Sequence, residues 1–458
     1  MTFFPADRRR FISRSAIPLP FYINIGLVVD DVLDTTILQN KYAQLIGRSP
    51  VLGGVLRSKK DTRKFSCGST ADFEARVINS DIPFSFSTHG DGQPSILHDN
   101  LATVDSAFIF NASCDPKPVC RMRATIFDDA TLLCFSFVHG LFDGPSAFSV
   151  LRYFCDLLSG KAIPRLSLPP DATGSRMSDR VRAPEDCEWE VPETRKMFVT
   201  TKFGHLRVKA ETLFTKVIEK LGFSERTEHR LVHLSSAWVE EVRSKAQKEL
   251  EGTTSITHAD VIAALYLKVF YKPRPVSRKP VDLISPMNYR SLREPVEGGT
   301  EYTHNSSVLV RCELSEQQVQ TESIGQAAQK IRIATIEGER PSAIKQQLRF
   351  IEDQVVAPAV PKIRGSLKWG CPVVTSWTEL DFSSLNFSGA SHRDRNPSVV
   401  FVNPEISPMG GTARSPFLVT VGDGAGGYWL RAANTASGWE AFDHCTSLKT
   451  LFCAVDKY

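Results

Sequence analysis

Two rhythms of apolar and polar positions run along this chain. "TLLCFSFV" (131–138) is apolar at almost every position, which predicts a strand buried on both faces. "FYINIGLVV" (21–29) is β-rich and predicts another. Between them the period changes. In "DTTILQNKYAQLIGRSP" (34–50), Ile37, Tyr42 and Leu45 fall at helical spacing and Asp34 is placed to cap the helix. "PVLGGVLRS" (50–58) then predicts a further strand. After residue 138, Pro145 stands at a first helical position. Phe148, Leu151, Phe154, Cys155 and Leu158 make one apolar face, and Gly160 ends the helix. From Lys161 to about Glu193 the text turns to proline, serine and charge with little period, the mark of a linker.

The pattern restarts with a strand in "HRLVHLS" (229–235) and a helix through "WVEEVRSKAQKEL" (238–250). Thr257 opens a T-x-x-D capping pattern ahead of "VIAALYLKVFY" (261–271). "VDLISPMN" (281–288) and "NSSVLVRCEL" (305–314) read as strands, and two helices follow near 322–337 and 341–354. Strands return in "PVVTSW" (372–377), "SVVFVN" (398–403), "FLVTV" (417–421) and "GYWLRAAN" (427–434). The fold class is therefore mixed α/β, with one open sheet in each half.

Size sharpens this picture. The chain has 458 residues and is 42% hydrophobic. Single cores stop growing at about 250–300 residues, so two domains are expected. We place an N-terminal lobe at 1–165, a crossover linker at 166–227 and a C-terminal lobe at 228–458, with some C-terminal strands free to pack on the first lobe. A net charge of +4 from 55 basic and 51 acidic residues gives no reason to expect a nucleic-acid partner. No apolar run reaches the roughly 18 residues of a membrane span, and the N-terminus lacks a signal-peptide pattern. The ten cysteines are scattered without a CxxC pair, as in a reduced, cytoplasmic protein with no metal site.

One turn carries candidate chemistry. In "FSFVHGLFDGPSAF" (135–148) a buried strand ends in His139 and Asp143, each followed by a glycine. A strand end is where α/β proteins present side chains to a cleft. Gly140 and Gly144 would allow a sharp turn through backbone angles that other residues resist. Asp143 could touch the imidazole, cap the helix at Pro145, or turn away to hold a distant cation.

"HGLFDG" (139–144), after a strand and before an amphipathic helix, resembles the HxxxDG motif of the CoA-dependent acyltransferase superfamily. That superfamily includes the BAHD acyltransferases, trichothecene acetyltransferases, chloramphenicol acetyltransferase and peptide-synthetase condensation domains. "SPVLGGVL" (49–56) is similar to the family's N-terminal segment, without its arginine. "THADVIAALYLKVF" (257–270) resembles its second-domain helix and "PMNYRSL" (286–292) its Asn-x-Arg segment. "HNSS" (304–307) resembles the Gly-Asn segment, with His304 in place of glycine. "VTSWTELDFSSLNFSGA" (374–390) resembles the Thr-Ser-Trp strand leading to Asp-Phe-Gly-Trp-Gly. Asn386 stands where that motif has aspartate, which suits a divergent, fungal-like branch; "DFSS" (381–384) falls at the wrong spacing.

The resemblance implies two chloramphenicol acetyltransferase-like lobes with a channel between them. It implies His139 as general base, Asp143 turned away to an arginine, with Arg290 the candidate, and Thr375 and Trp377 near the oxyanion. It also places Gly144, Arg290, Asn305 and Ser376 toward substrate or CoA. Trp377 is equally open to a core role. Acyl-CoA is the expected co-substrate, with no bound cofactor, a small-molecule acceptor and a monomeric enzyme. Val138 replaces the extra histidine of condensation domains, which favours CoA over a carrier protein as donor. Two alternatives stay open: a base-assisted cyclisation or condensation in the same channel, and a non-catalytic binding protein.

Other signals are weaker. "GDGAGG" (422–427) lacks the lysine and the strand-to-helix setting of a phosphate loop and reads as a hairpin turn. "DRRRFISR" (7–14) reads as solvated surface. Ser146 and Ser149 have no G-x-S-x-G setting. Arg274 and Arg278 could meet donor phosphates but read first as surface charge.

Overall fold

The strand-forming runs assemble into two large mixed sheets, with two smaller antiparallel ones beside them among the described residues, in a computed structural model of the chain. It describes residues 10–11, 21–49, 51–56, 64–66, 71–77, 95–96, 117–164, 166, 176–182, 197–199, 206, 210, 217, 221, 227–250, 254–271, 280–293, 302–353, 360–361, 372–392, 396–408 and 417–445. The first large sheet has the order Val399–Pro408, Phe21–Val29, Thr131–Val138, Cys120–Ile126, Phe73–Val77. Its neighbours are antiparallel except the last pair, which is parallel. The second has the order Ser307–Ser315, Pro280–Asn288, Val373–Ser376, Phe417–Gly422, Tyr428–Thr435, Thr227–Leu234, Ser95–Ile96. Val373–Ser376 runs parallel to both neighbours and the remaining pairs are antiparallel.

Each sheet sends one strand's partner across the molecule. Val399–Pro408, from the C-terminal half, pairs along Phe21–Val29. Ser95–Ile96, from the N-terminal half, pairs with Val232 and His233. The two lobes are therefore interlocked through backbone hydrogen bonds.

Side chains alternate across a strand, so register assigns them to faces. Phe135 meets Phe154 of the helix Gly144–Leu158, with ring centroids 5.5 Å apart. Odd-numbered residues of Thr131–Val138 thus face the helical layer. Asn24, Ser136 and Glu405 stand in register on the opposite face. There Glu405 accepts a 2.7 Å bond from Arg431 Nε of the second sheet. This face therefore looks toward the other lobe. On the second sheet, Leu418, Leu430 and Ala432 pack with Trp238, Val242 and Leu265 of its own helices.

Local chemistry explains most element boundaries. Asp34 accepts from the amides of Thr36 and Ile37 and starts the helix Thr35–Arg48. Thr257 and Asp260 cap reciprocally ahead of His258–Tyr271. "GDGAGG" forms the hairpin turn, with Gly424 and Gly426 at φ of 80° and 91° and Asp423 accepting from the amides of Ala425 and Gly427. Two expectations differ. "PVLGGVLRS" yields only the two-residue strand Val55–Leu56, because Leu52 and Gly54 close successive turns onto Ser49 and Val51. The helices Glu316–Thr321 and Ala436–Cys445 were not expected. The first starts directly from a strand through a Ser315–Gln318 capping box.

Within 161–193 the described residues are 161–164, 166 and 176–182. The Met177 amide and the Ser178 hydroxyl both donate to buried Glu352, which ties this stretch to the C-terminal half. Arg274, Arg278 and most of "DRRRFISR" lie outside the described residues. So do five cysteines and the Cys445 side chain; Cys120, Cys134, Cys155 and Cys312 are free and buried.

Candidate active site

The strand Thr131–Val138 ends in a tight turn. The amides of Leu141 and Phe142 both donate to the Val138 carbonyl, at 2.9 and 3.1 Å. Inside it, His139 Nδ1 lies 3.0 Å from the Phe142 carbonyl oxygen. A carbonyl only accepts, so Nδ1 carries the proton and Nε2 keeps its lone pair. Burial lowers the pKa of this imidazole, and the bond to Phe142 and the Asp143 charge only partly offset that. The ring is held neutral in one tautomer.

Asp143 is buried and points away from that ring. Its Oδ1 accepts from the Ser146 amide at 3.0 Å and the Ser146 hydroxyl at 2.8 Å, which caps the following helix. The same carboxylate receives Arg290 through Nη1 at 3.0 Å and Nη2 at 2.6 Å. The Ser306 amide and the Ser307 hydroxyl complete its shell at 2.8 and 3.0 Å. Helix capping and ion pairing are therefore one arrangement. Burial would push the carboxyl upward, but the Arg290 charge and these donors bring it down to about 2.

The second lobe grips the turn at further points. Arg290 also bonds the Asn288 side chain and the His304 carbonyl. The Asn305 amide nitrogen donates to Leu141 O at 2.7 Å, and its Nδ2 donates to His139 O at 3.0 Å. Asn305 Oδ1 accepts from the Ser307 amide. Arg290 and Asn305, expected to face substrate or CoA, thus have these polar atoms bonded to the protein itself.

Gly144 is required for a different reason from the one its sequence setting suggests. Among the described residues, the glycines with positive φ are Gly160, Gly424 and Gly426, so neither Gly140 nor Gly144 uses that freedom. A Cβ on Gly144 would instead lie 2.5 Å from Trp377 Nε1. The indole lies against the start of the helix, buried, with its ring centroid 6.4 Å from that of Phe382. Gly144→Ala must displace the indole. We expect a loss of about 1–3 kcal/mol in urea unfolding, with a drop in turnover larger than the stability loss explains.

Thr375 is half-buried on Val373–Ser376, in register with Val419. Ser376 is exposed and its hydroxyl pairs with Thr378 at 2.9 Å. The structure thus brings together His139, Asp143, Gly144, Arg290, Asn305 and Trp377, while Thr375 and Ser376 line the strand leading to Trp377. Phe142, Ser146, Ser306 and Ser307 were missed from sequence. Only Ser146 left a signal, as the third residue after a capping aspartate. "DFSS" supplies Phe382, which packs on Trp377 and on Phe148 at 5.0 Å. Asn386 lies beside Cys155 and bonds the Ser388 amide.

No family model matches the chain. Against whole proteins the chain is 34% identical to "Acetyltransferase peniE" of Penicillium patulum, over 94% of its own length and 96% of that protein's. Its fold superimposes on TRI101 of F. graminearum, solved with ethyl coenzyme A, at a TM-score of 0.69 and 13% identity, covering 97% of this chain and 98% of the other. Vinorine synthase follows the same fold at a TM-score of 0.61 and 12% identity, over 96% and 93% of the two chains. The chain shares the fold of these two enzymes, and it is an acyltransferase that belongs to the same family as the Penicillium patulum acetyltransferase.

Proposed function

We propose that this enzyme moves an acyl group from acyl-CoA to a hydroxyl or amine of a specialised metabolite, with His139 as general base. The observation carrying this reading is the bond from Nδ1 to the Phe142 carbonyl, which leaves Nε2 as the acceptor. Nε2 takes the proton of the acceptor group as its oxygen or nitrogen bonds to the thioester carbon. The carbon–sulfur bond then breaks, and the proton passes from His139 to the leaving thiolate. Thr375 and Trp377 supply a hydroxyl and an indole N–H for the tetrahedral oxyanion. Asp143, Arg290 and Asn305 act as positioning residues that hold the turn. CoA as donor is supported by TRI101, solved with ethyl coenzyme A and with coenzyme A and deoxynivalenol.

The test is incubation with acetyl-CoA and a panel of polycyclic alcohols and amines. Free CoA should appear with the acylated product. Conversion of an acceptor without CoA release would instead favour cyclisation. The pH profile carries a second expectation. Burial lowers the His139 pKa from its ordinary 6.5, so the neutral base persists on the acid side of that value. The kcat/KM of acyl transfer should accordingly fall only below pH 6.5, measured with buffers of constant ionic strength.

A further inference from the structure

The capping box at Asp143 reaches as far as the base. His139 Nδ1 donates to the Phe142 carbonyl at 3.0 Å. That carbonyl and the Asp143 amide N–H belong to one peptide group. At its other end the group donates from the Asp143 nitrogen to Ser146 Oγ at 2.8 Å. The Ser146 hydroxyl donates in turn to Asp143 Oδ1 at 2.8 Å. The route runs from a carboxylate, through a hydroxyl and a peptide, to the imidazole. Phe142, Asp143 and Ser146 are all buried, so water does not screen it.

Charge can act along this route. A peptide is a resonance hybrid, so a stronger acceptor at its N–H deepens the negative charge on its oxygen. Burial opposes ionisation of Asp143, but the Arg290 charge and the surrounding donors keep it a carboxylate down to about pH 2. The carboxylate draws on the Ser146 hydrogen and makes Oγ a stronger acceptor for the Asp143 amide. The Phe142 oxygen then becomes a stronger acceptor for Nδ1–H. This matters most when Nε2 takes a proton, because the imidazolium places positive charge on Nδ1–H. Asp143 itself points away from the ring, toward Arg290, and bonds no atom of it. The peptide stands in for that contact.

We infer that Ser146 is a positioning residue for the general base, its hydroxyl coupling the Asp143 carboxylate to His139 Nδ1 through the Phe142–Asp143 peptide. The inference rests on the reading of His139 as base. No proton moves along the route: each hydrogen stays on its donor, and only charge shifts. The Ser146 amide bonds Asp143 Oδ1 separately at 3.0 Å, and Arg290 holds both carboxylate oxygens. Removing the hydroxyl therefore leaves one cap bond and the ion pair standing. The other titratable groups packed on the turn come from the second lobe. They are Arg290, Tyr289 and Tyr302 beside it, and His304, whose ring centroid lies 6.1 Å from that of Phe142. All are unchanged by the substitution.

The test is Ser146→Ala, assayed with acetyl-CoA and an accepted alcohol across the acid range. With the coupling cut, the imidazolium loses support and His139 becomes a weaker base. The kcat should fall about threefold with the KM for acetyl-CoA unchanged, and the acid limb of kcat/KM should move lower by about 0.5 in pH. A merely structural role predicts the opposite sign. A loosened turn lets water reach the ring, undoes the effect of burial and moves the limb up toward 6.5. A limb that stays in place or rises, or a wild-type kcat, would overturn the coupling. Wild type supplies a check that does not depend on the variant folding. Its 15N spectrum, with the His139 signals identified by their loss in His139→Gln, should show hydrogen on Nδ1 and none on Nε2; the reverse would overturn the proposal. Full turnover by His139→Ala would refute the base reading. Lost turnover there beside an unaltered Ser146→Ala would remove the coupling alone, so the two failures are distinguishable.

Discussion

Replacing His139 with alanine should lower the acyl-transfer rate by about 10²–10⁴, the usual contribution of a positioned general base. The fold should survive. The turn is closed by main-chain bonds from Leu141 and Phe142 to Val138 and by Asn305 bonding the His139 carbonyl. None of these uses the imidazole. Among the described residues its own hydrogen bond is the one to the Phe142 carbonyl, on a half-buried ring. Turnover of acetyl-CoA with an accepted alcohol, read beside a thermal melt, separates the two effects. A well-folded variant with near wild-type turnover would remove His139 from the mechanism.

Loss of Arg290 should act in the opposite way, on stability first. Arg290→Met leaves the Asp143 carboxylate buried with its countercharge removed. Stranding one member of a buried pair costs about 3–5 kcal/mol. Urea unfolding at neutral pH should register that loss, with activity falling alongside. Arg290→Lys should recover little, because an ammonium cannot span both Asp143 oxygens and the His304 carbonyl as the guanidinium does. Acid should mimic the damage in wild type. The Asp143 carboxyl falls from an ordinary 3.8 to about 2 in the fold. Its stabilising contribution is therefore complete above pH 3.8 and is lost as pH falls toward 2. Arg290→Met should lack that acid-sensitive component. An unchanged unfolding midpoint in Arg290→Met would refute the bridging role.

How much of this could be read beforehand differs by element. The strands 21–29 and 131–138 were legible to the residue, because continuous β-branched and aromatic runs have one solution when buried on both faces. The helix after Asp143 was legible from Pro145 and its apolar spacing, and it begins at Gly144. The pairing of Asp143 with Arg290 came from resemblance, since 147 residues separate them and no local pattern links them. The reason for Gly144 was not legible. It depends on an indole brought by a strand more than two hundred residues away, and spacing cannot reveal such a close approach. The Phe142 carbonyl was equally hidden, because every residue carries one and only the path of the turn aims it.

The exchange of Val399–Pro408 into the first sheet has a consequence for how the protein is made. Until that segment leaves the ribosome, Phe21–Val29 has an open side, and its apolar sequence is a ready template for foreign strands. The early half must wait until Val399–Pro408 has been made before its sheet is finished, which exposes it to aggregation during synthesis. Truncations that end near residue 390 should accumulate as inclusion bodies, and supplying the missing segment in trans as a peptide should draw part of that material into solution.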